Sequence, residues 1–327
     1  MNSFNKKPQV FITDGNFPQI ALDLLKTNCD VEITTHDVSP RHELLNRARI
    51  KNALIVVPPN KIDKELLDFA GKQLKCISTY SVGFDHLDVK ECRERGITTC
   101  HTPNVLTNTV AELGIALMLS GARRVVEASN AITNGEWVKS YTSNWMFGTD
   151  IVNSVIGIFG FGRIGQALAK RLQPFEPKKI IYCDAFDVIV DSSLKVEKVN
   201  FTQLLEQSDF LIVSSTLTAE TYHIFNEDAF LKMKSNALFV NISRGKLVDQ
   251  TALVSALKNN IIQAAALDVM EEEPIKADDP LLTLPNCTLT PHVGTATFTC
   301  RAKMAISAVE NVLNFFSNQP IEGEIKI

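Results

Sequence analysis

The fold is decided by Val155-Ile156-Gly157-Ile158-Phe159-Gly160-Phe161-Gly162-Arg163-Ile164-Gly165. A short apolar run, typical of a buried strand, leads directly into three spaced glycines, and a helix-like pattern follows to Leu172. Gly160 permits a tight turn, Gly162 lets the backbone approach a pyrophosphate, and Gly165 lets the helix pack closely on the sheet. The free N–H groups and the helix dipole would then face an anion. Because strand, turn and helix are all present, the stretch predicts a Rossmann dinucleotide site.

A carboxylate follows at the spacing that such a site uses for the ribose. Asp184 ends the next apolar run, IIYCD, 24 residues after Gly160. A carboxylate there accepts hydrogen bonds from a ribose 2′-hydroxyl and repels a 2′-phosphate. Its neighbours Ala185, Phe186 and Asp187 supply no cation. We therefore expect NAD(H) to be favoured over NADP(H), the alternative being that Asp184 is a solvated residue at a strand end.

Strands and helices alternate through the rest of this half of the chain. Six strands are predicted, which fits a doubly wound nucleotide-binding domain: Val155–Phe159, Lys179–Cys183, Val196–Val199, Phe210–Ser214, Leu238–Asn241 and Ala264–Leu267. The predicted helices between them are Arg163–Leu172, Phe201–Glu206, Glu227–Met233 and Gln250–Lys258.

Residues 9–101 show the same alternation. Five short apolar runs predict strands: Val10–Ile12, Val31–Thr35, Ala53–Val57, Leu74–Ser78 and Ile97–Cys100. Asp63 and Asp88 are predicted helix N-caps, and Gly71 and Gly96 stand where C-cap glycines belong. Strands alternating with helices predict a parallel sheet covered on both faces, here a flavodoxin-like domain.

The chain is therefore predicted to be an α/β protein with two doubly wound parallel-sheet domains. A Rossmann nucleotide domain, residues 106–291, is inserted into a flavodoxin-like substrate domain made of residues 1–105 and 292–327. One long helix, about Thr107 to Thr133, is expected at the start of the inserted domain, and it is apolar over a wide arc. Another, about Ala296 to Ser317, is expected near the end of the chain.

Composition excludes several function classes. The net charge is −4, from 33 basic and 37 acidic side chains, which gives no electrostatic footprint for nucleic acid or an anionic membrane. No apolar run reaches the roughly 18 residues that a membrane span needs, and the N-terminus lacks the apolar core of a secretory signal. Seven cysteines without CxxC spacing predict reduced thiols, a cytoplasmic location and no cysteine zinc site.

Three polar segments carry the candidate chemistry. They are Asn241–Gly245, Leu267–Pro274 and Thr290–Thr297, and each follows an apolar run, at the edge where open α/β sheets bind ligands. Taken singly, each has an ordinary interpretation. An Arg before Gly is often a turn residue, a Glu in an acidic run is usually solvated, and a lone His after a strand is more often structural. Their order behind a dinucleotide fingerprint favours a catalytic set.

The chain closely resembles the D-isomer-specific 2-hydroxyacid dehydrogenase family over nearly its whole length, and most of all its glyoxylate reductase/hydroxypyruvate reductase branch. The stretches that carry the resemblance are LKCISTYSVGFDHLD, TPNVLTNTVAEL, GRIGQALAKRLQPF, FVNISRGKLVDQ and PLLTLPNCTLTPHVGTAT. The resemblance implies hydride transfer between a nicotinamide cofactor and a small 2-keto or 2-hydroxy acid, with glyoxylate or hydroxypyruvate reduction expected first.

The family pattern implies a catalytic set of Arg244, Glu273 and His292. Reduction of a ketone leaves an alkoxide that needs a proton, which a His is suited to deliver. Glu273 would orient the ring and favour its charged form, and it is chosen over Glu272 because it immediately precedes Pro274. Arg244 would hold the substrate carboxylate or polarise the carbonyl.

The resemblance implies further contacts. Ser81, Val82 and Gly83 are similar to the family's carboxylate cradle, to which Arg244 and His292 would add substrate contacts. Expected cofactor contacts, beside the three glycines and Asp184, are Thr109, Arg163, Ile164, Thr216, Asp268 and Gly294. The chain departs from the animal members of the branch, which carry Gly-Arg where Asp184-Ala185 stands here, and this puts NADPH preference in doubt.

The sequence leaves two alternative functions open and predicts one protein partner, a second copy of the chain. The substrate could be a different 2-hydroxy acid. Some relatives of this fold are NADH-sensing corepressors that bind partner peptides, and they retain the same Arg–Glu–His set. The helix over Thr107–Thr133 and the loop after it look like the family's dimer contact, so a homodimer is expected.

Overall fold

The computed structural model describes residues 6–139 and 143–326, and the chain divides into two compact units. The first is formed by the described parts of Met1–Leu106 and Thr295–Ile327, and the second by those of Thr107–Gly294. The sequence-based division assigned His292 to the flavodoxin-like substrate domain, as its first residue after the inserted domain. In the structure His292 lies in the second unit, which ends two residues later.

The first unit is built on a five-stranded parallel sheet. Its strands run in the order β2-β1-β3-β4-β5, the flavodoxin-like order. They are β1 (Gln9–Ile12), β2 (Asp30–Ile33), β3 (Ala53–Val56), β4 (Cys76–Thr79) and β5 (Thr98–Cys100). The helices of this unit are α1 (Gln19–Lys26), α2 (Arg41–Ala48), α3 (Lys64–Ala70), α4 (Val89–Glu94) and, from the end of the chain, α11 (Phe298–Phe316).

Local signals in the first unit produce the predicted helix ends. The Asp63 side chain accepts a hydrogen bond from the N–H of Leu66, and Asp88 does the same for Glu91, so both predicted N-caps are confirmed. Gly71 and Gly96 have φ values of +76° and +69°, which only glycine adopts without strain. The central strands β3 and β4 are buried throughout because helices cover both faces of the sheet.

The second unit is built on a seven-stranded parallel sheet in the order β12-β11-β10-β9-β6-β7-β8. The strands are β6 (Val155–Phe159), β7 (Lys179–Cys183), β8 (Val196–Lys198), β9 (Phe210–Val213), β10 (Leu238–Asn241), β11 (Ala264–Leu267) and β12 (Cys287–Leu289). The helices are α5 (Thr107–Ala122), α6 (Val125–Thr133), α7 (Arg163–Leu172), α8 (Phe201–Gln207), α9 (Glu227–Lys232) and α10 (Gln250–Lys258). The strand order reverses between β6 and β9, and open α/β sheets bind ligands beyond the carboxyl ends of the strands at such a point.

The sequence-based prediction of six strands in this sheet is wrong by one. The missed strand, β12, pairs with β11 from Ala265–Cys287 to Leu267–Leu289. It has three residues, lies at the edge of the sheet and is only half-buried, so it carries too little apolar pattern to be distinguished from a loop.

The single helix predicted over Thr107–Thr133 is two helices. Arg124 adopts a left-handed conformation, φ +53° and ψ +36°, between α5 and α6. Its guanidinium donates two hydrogen bonds to Glu127, of 2.8 and 2.6 Å, and the Ala122 carbonyl accepts from the N–H of Thr149 at 2.8 Å. No proline marks this break, and the nearest glycine, Gly121, lies within the last turn of α5. The break is stabilised by these side-chain and loop contacts.

Candidate functional site

The glycine-rich turn joins β6 to α7. Gly160 has a φ of +87°, and an added Cβ there would lie 2.6 Å from Cα of Ser215, in the loop that follows the neighbouring strand β9. An added Cβ at Gly165 would overlap the carbonyl oxygen of Gly160. At Gly162, which precedes α7, an added Cβ would have no neighbour within 4 Å. Two of the glycines thus permit close backbone packing, and the third leaves open space before the helix.

Asp184 is tied to this turn. Its Oδ2 accepts a hydrogen bond from the N–H of Phe161 at 2.7 Å, and its Oδ1 accepts from the N–H of Phe186 at 2.9 Å. The carboxylate therefore holds the glycine turn as well as the end of β7. A cation that the sequence analysis missed also reaches this loop: Nζ of Lys198 donates to the carbonyl of Phe186 at 3.1 Å and to Oδ1 of Asp187 at 2.7 Å.

His292 and Glu273 are brought together beyond β11 and β12. Nδ1 of His292 lies 2.7 Å from Oε2 of Glu273, and Oε1 of Glu273 accepts from the N–H of Met270 at 3.0 Å. Burial raises the pKa of the Glu273 carboxyl, but the hydrogen bond and charge of His292, the Met270 N–H and the charge of Arg244 lower it more, so the net pKa lies below its ordinary value. Glu273 is thus held ionised beside the ring, while Glu272 instead pairs with Lys276.

The segment that carries His292 is anchored by Asp268. This side chain is 1% exposed and accepts three hydrogen bonds, from the Thr290 hydroxyl at 2.6 Å and from the N–H groups of Val293 and Gly294 at 2.9 and 2.8 Å. The carbonyl of Asp268 accepts the N–H of His292 at 2.8 Å. His292 itself has a φ of +53°, so the surrounding hydrogen bonds fix a conformation that a non-glycine residue rarely adopts.

Arg244 lies on the turn that follows β10. Its Nη1 donates to the carbonyl of Ser243 at 2.8 Å, and the Asn241 side chain accepts from Ser243 and donates to the Arg244 carbonyl, which closes the turn. Gly245 packs against the backbone of residues 270–271, where any Cβ would overlap the Met270 carbonyl. This close approach brings the Arg244 turn next to the segment that carries Glu273.

In the first unit, the loop after β4 presents two backbone N–H groups. The Ser81 carbonyl accepts from the N–H of Thr102 at 2.8 Å, the Val82 carbonyl lies 2.8 Å from Nδ1 of His101, and the Gly83 carbonyl accepts from the Ser81 hydroxyl at 2.7 Å. Within the described ranges, neither the N–H of Val82 nor that of Gly83 has an acceptor. Successive free N–H groups of this kind form a concavity suited to an anion.

The comparisons decide the family. Residues 115–294 match the model of the D-isomer specific 2-hydroxyacid dehydrogenase NAD binding domain. The glyoxylate reductase of Thermofilum pendens is 43% identical over 312 residues, which is 94% of this chain and 91% of that one. This chain belongs to the D-isomer-specific 2-hydroxyacid dehydrogenase family.

Other dehydrogenases agree with this assignment. The human glyoxylate reductase/hydroxypyruvate reductase is 41% identical over 302 residues, 92% of each chain. A solved structure of the NADPH-dependent glyoxylate/hydroxypyruvate reductase of Sinorhizobium meliloti, in complex with NADP and malonate, is 29% identical, covers 98% of this chain and 97% of that one, and superimposes with a TM-score of 0.86.

The residues of this dehydrogenase fit a dinucleotide at the glycine turn. Helix α7 begins at Arg163, and its N-cap residue, Gly162, offers no side-chain cap, so the first N–H groups of the helix have no acceptor within it. The open space at Gly162 lies directly before them. Of the other expected contacts, Arg163 and Ile164 begin α7, Thr109 lies in the first turn of α5, Thr216 is exposed after β9, and Gly294 packs against Asp268 and Val110.

A second histidine–carboxylate pair in this dehydrogenase was not predicted from the sequence. Nε2 of His223 lies 2.9 Å from Oε1 of Glu271, and Glu271 exchanges hydrogen bonds with Gln250 through its N–H and its Oε2. These contacts fix the start of the segment that carries Glu273. The sequence offers no signal for the pair beyond the run of three glutamates. Nothing in the sequence relates His223 to a residue 48 positions away.

Two features are absent from the described residues. No helix there combines the length and the apolar character needed to cross a membrane. In the same ranges, no three His, Cys, Asp or Glu side chains are grouped to hold a metal ion.

Proposed function

We propose that this dehydrogenase reduces glyoxylate or hydroxypyruvate, with NADH rather than NADPH as the hydride donor. The observation that carries the proposal is the hydrogen bond of His292 to an ionised Glu273, anchored by Asp268 at the carboxyl edge of the Rossmann sheet. The names of the related reductases support the two substrates.

His292 is proposed as the proton donor. When bound, the reduced nicotinamide supplies a hydride to C2 of the keto acid, which leaves an alkoxide oxygen. Because Nδ1 of His292 is bonded to Glu273, the second ring nitrogen, Nε2, delivers the proton to that oxygen. The ionised Glu273 holds Nδ1 and so fixes the orientation of the ring, which leaves Nε2 as the nitrogen that transfers the proton.

Donors for the substrate carboxylate are proposed separately in each unit: the backbone of the loop after β4 in the first, and the Arg244 guanidinium in the second. The N–H groups of Val82 and Gly83, with Ser81 closing the turn behind them, supply two donors that need no side-chain ordering on binding. Arg244 supplies a planar pair of donors that matches a carboxylate.

The cofactor preference is proposed from Asp184. Its carboxylate is fixed beside the glycine turn by two backbone donors, where it can accept from a 2′-hydroxyl and repel a 2′-phosphate. Lys198 brings one positive charge to the loop, but Asp187 neutralises it. As further cofactor contacts we propose Thr109, Arg163, Ile164, Thr216, Asp268 and Gly294.

A cytoplasmic homodimer completes the proposal. Five apolar side chains on α6 and just after it are between 44% and 82% exposed: Val125, Val126, Ile132, Trp137 and Val138. Exposed apolar side chains concentrated on one helix and the residues just after it favour an interaction surface, and light scattering should therefore give twice the chain mass. The cytoplasmic location is supported by seven unpaired cysteines.

The test is a steady-state comparison of glyoxylate, hydroxypyruvate and pyruvate, each with NADH and with NADPH, followed by loss of cofactor absorbance. We expect the highest kcat/KM for glyoxylate or hydroxypyruvate with NADH. Equal or better turnover with NADPH would refute the reading of Asp184. Tight NADH binding without turnover of any keto acid would refute the enzymatic proposal and favour a cofactor-sensing protein.

A further inference from the structure

In the loop after β4, the direction of each free backbone N–H is set by the hydrogen bond that the carbonyl of the same peptide plane accepts. A trans peptide is planar, so the carbonyl of one residue and the N–H of the next point in opposite directions. The Ser81 carbonyl therefore shares a plane with the Val82 N–H, and the Val82 carbonyl shares one with the Gly83 N–H. The first plane is held by a backbone donor, the Thr102 N–H. The second is held by a side chain, the His101 ring, at 2.8 Å.

His101 is itself fixed by the end of the chain. Its N–H donates to the carbonyl of Gly323 at 2.8 Å, and its carbonyl accepts from Nδ2 of Asn311 at 2.9 Å. Asn311 is 3% exposed and also bonds Ser78 at the end of β4. The ring packs edge to face against Phe84, with ring centres 5.6 Å apart. The backbone hydrogen bonds of His101 and the packing of Phe84 therefore fix the position of the ring.

We propose that His101 is a positioning residue for the substrate carboxylate. Because a carbonyl oxygen only accepts, Nδ1 of His101 must carry the proton of this hydrogen bond. That N–H holds the Val82 carbonyl and so keeps the Gly83 N–H turned outward, where it can donate to an anion. This inference rests on the proposed function, in which the Val82 and Gly83 N–H groups bind the keto-acid carboxylate.

Loss of the His101 hydrogen bond should weaken binding of the keto acid and leave cofactor binding unchanged. Loss of the Nδ1–H donor leaves the Val82–Gly83 peptide free to rotate, so the carboxylate must order it on binding. A neutral hydrogen bond of this kind corresponds to about a 2- to 12-fold change in an equilibrium. The carbonyls to which His101 is hydrogen-bonded, those of Val82 and Gly323, both belong to the first unit. We therefore expect the affinity for NADH and the proton transfer to stay unchanged.

The experiment compares His101→Leu, which removes the donor, with His101→Asn, whose side-chain N–H₂ can replace Nδ1–H. With the keto acid that gives the best turnover, H101L should raise KM about 2- to 12-fold, with kcat and the KM for NADH near wild type. H101N should restore most of the loss. His42→Leu, at an exposed histidine of the same unit, is the matched control and should change neither constant.

The outcomes distinguish failure of this inference from failure of the proposed function. If the wild type turns over keto acids but H101L has an unchanged KM, loses mainly kcat, or is no worse than H101N, the role of His101 is refuted and the proposed function stands. Failure of the wild type to reduce any keto acid refutes both. Circular dichroism and thermal unfolding check the fold, and His101→Ala replaces H101L if the latter does not fold.

Discussion

Replacement of Glu273 by Gln tests the pairing on which the proposed proton transfer depends. The carboxylate accepts on both sides, from Nδ1 of His292 at 2.7 Å and from the N–H of Met270 at 3.0 Å. An amide has one acceptor oxygen and one donor nitrogen. Whichever way the Gln side chain turns, it therefore loses one of the two hydrogen bonds and places a donor against a donor.

The magnitude follows from the exposure of the pair. A hydrogen bond to a charged group contributes about 1.5–3 kcal/mol. The side chains of His292 and Glu273 are 45% and 31% exposed, so solvent screening places the loss near the lower limit. About 1.5–2 kcal/mol corresponds to roughly a 10- to 30-fold reduction in kcat. The KM for NADH should stay near wild type, because Glu273 is assigned no contact with the cofactor.

The assay is steady-state reduction of glyoxylate at saturating NADH, with Glu272→Gln as the matched control. Glu272 is the adjacent carboxylate, 66% exposed and paired with Lys276 rather than with a histidine. E272Q should retain full activity. Wild-type kcat in E273Q, or an equal loss in E272Q, would refute the assignment of the proton-orienting role to Glu273.

Three further predictions follow from the same geometry. Gly245→Ala should lower the free energy of unfolding by about 1–3 kcal/mol and reduce kcat, because its Cβ would overlap a neighbouring backbone carbonyl. Gly162→Ala is the contrasting variant, because an added Cβ there has open space around it. It should unfold like the wild type in urea and raise only the KM for NADH. Asp184→Ser should raise kcat/KM for NADPH about 10-fold by removing one like charge, and adding Lys198→Ala should reverse part of that gain if the lysine contacts the phosphate. Since the folded-state pKa of Glu273 is lowered, its ionised form stabilises the fold above the unfolded pKa and the contribution is lost as pH falls through the folded pKa. The difference in urea midpoint between wild type and E273Q should therefore shrink between about pH 6 and pH 3, and a difference that grows would contradict the sign.

The sequence predicted the features that local chemistry determines. Strand, turn and helix around Gly160 follow from an apolar run and glycine spacing, and the caps at Asp63 and Asp88 follow from short side chains that accept from nearby N–H groups. Both sheets and their parallel direction follow from strands alternating with helices. The assignment of Glu273 over Glu272 needed a resemblance to known proteins, since three consecutive glutamates look alike.

What the sequence did not predict depends on contacts between distant segments. The left-handed Arg124 that divides α5 from α6 is stabilised by Glu127 and by a loop, and the sequence pattern shows neither contact. Gly245 entered the sequence analysis only as the last residue of the Asn241–Gly245 segment, whereas the requirement for glycine comes from the backbone of residues 270–271. Asp268 was expected only at the cofactor, and its three hydrogen bonds to the His292 segment appear only in the fold. Lys198 reaches the Asp184 loop from the neighbouring strand.

The most direct measurement is the turnover of His292→Asn with glyoxylate and NADH, alongside its NADH affinity by fluorescence titration. If this imidazole supplies the proton, kcat falls by roughly 100-fold or more while NADH binds as in the wild type. A variant that reduces glyoxylate at the wild-type rate would contradict the account.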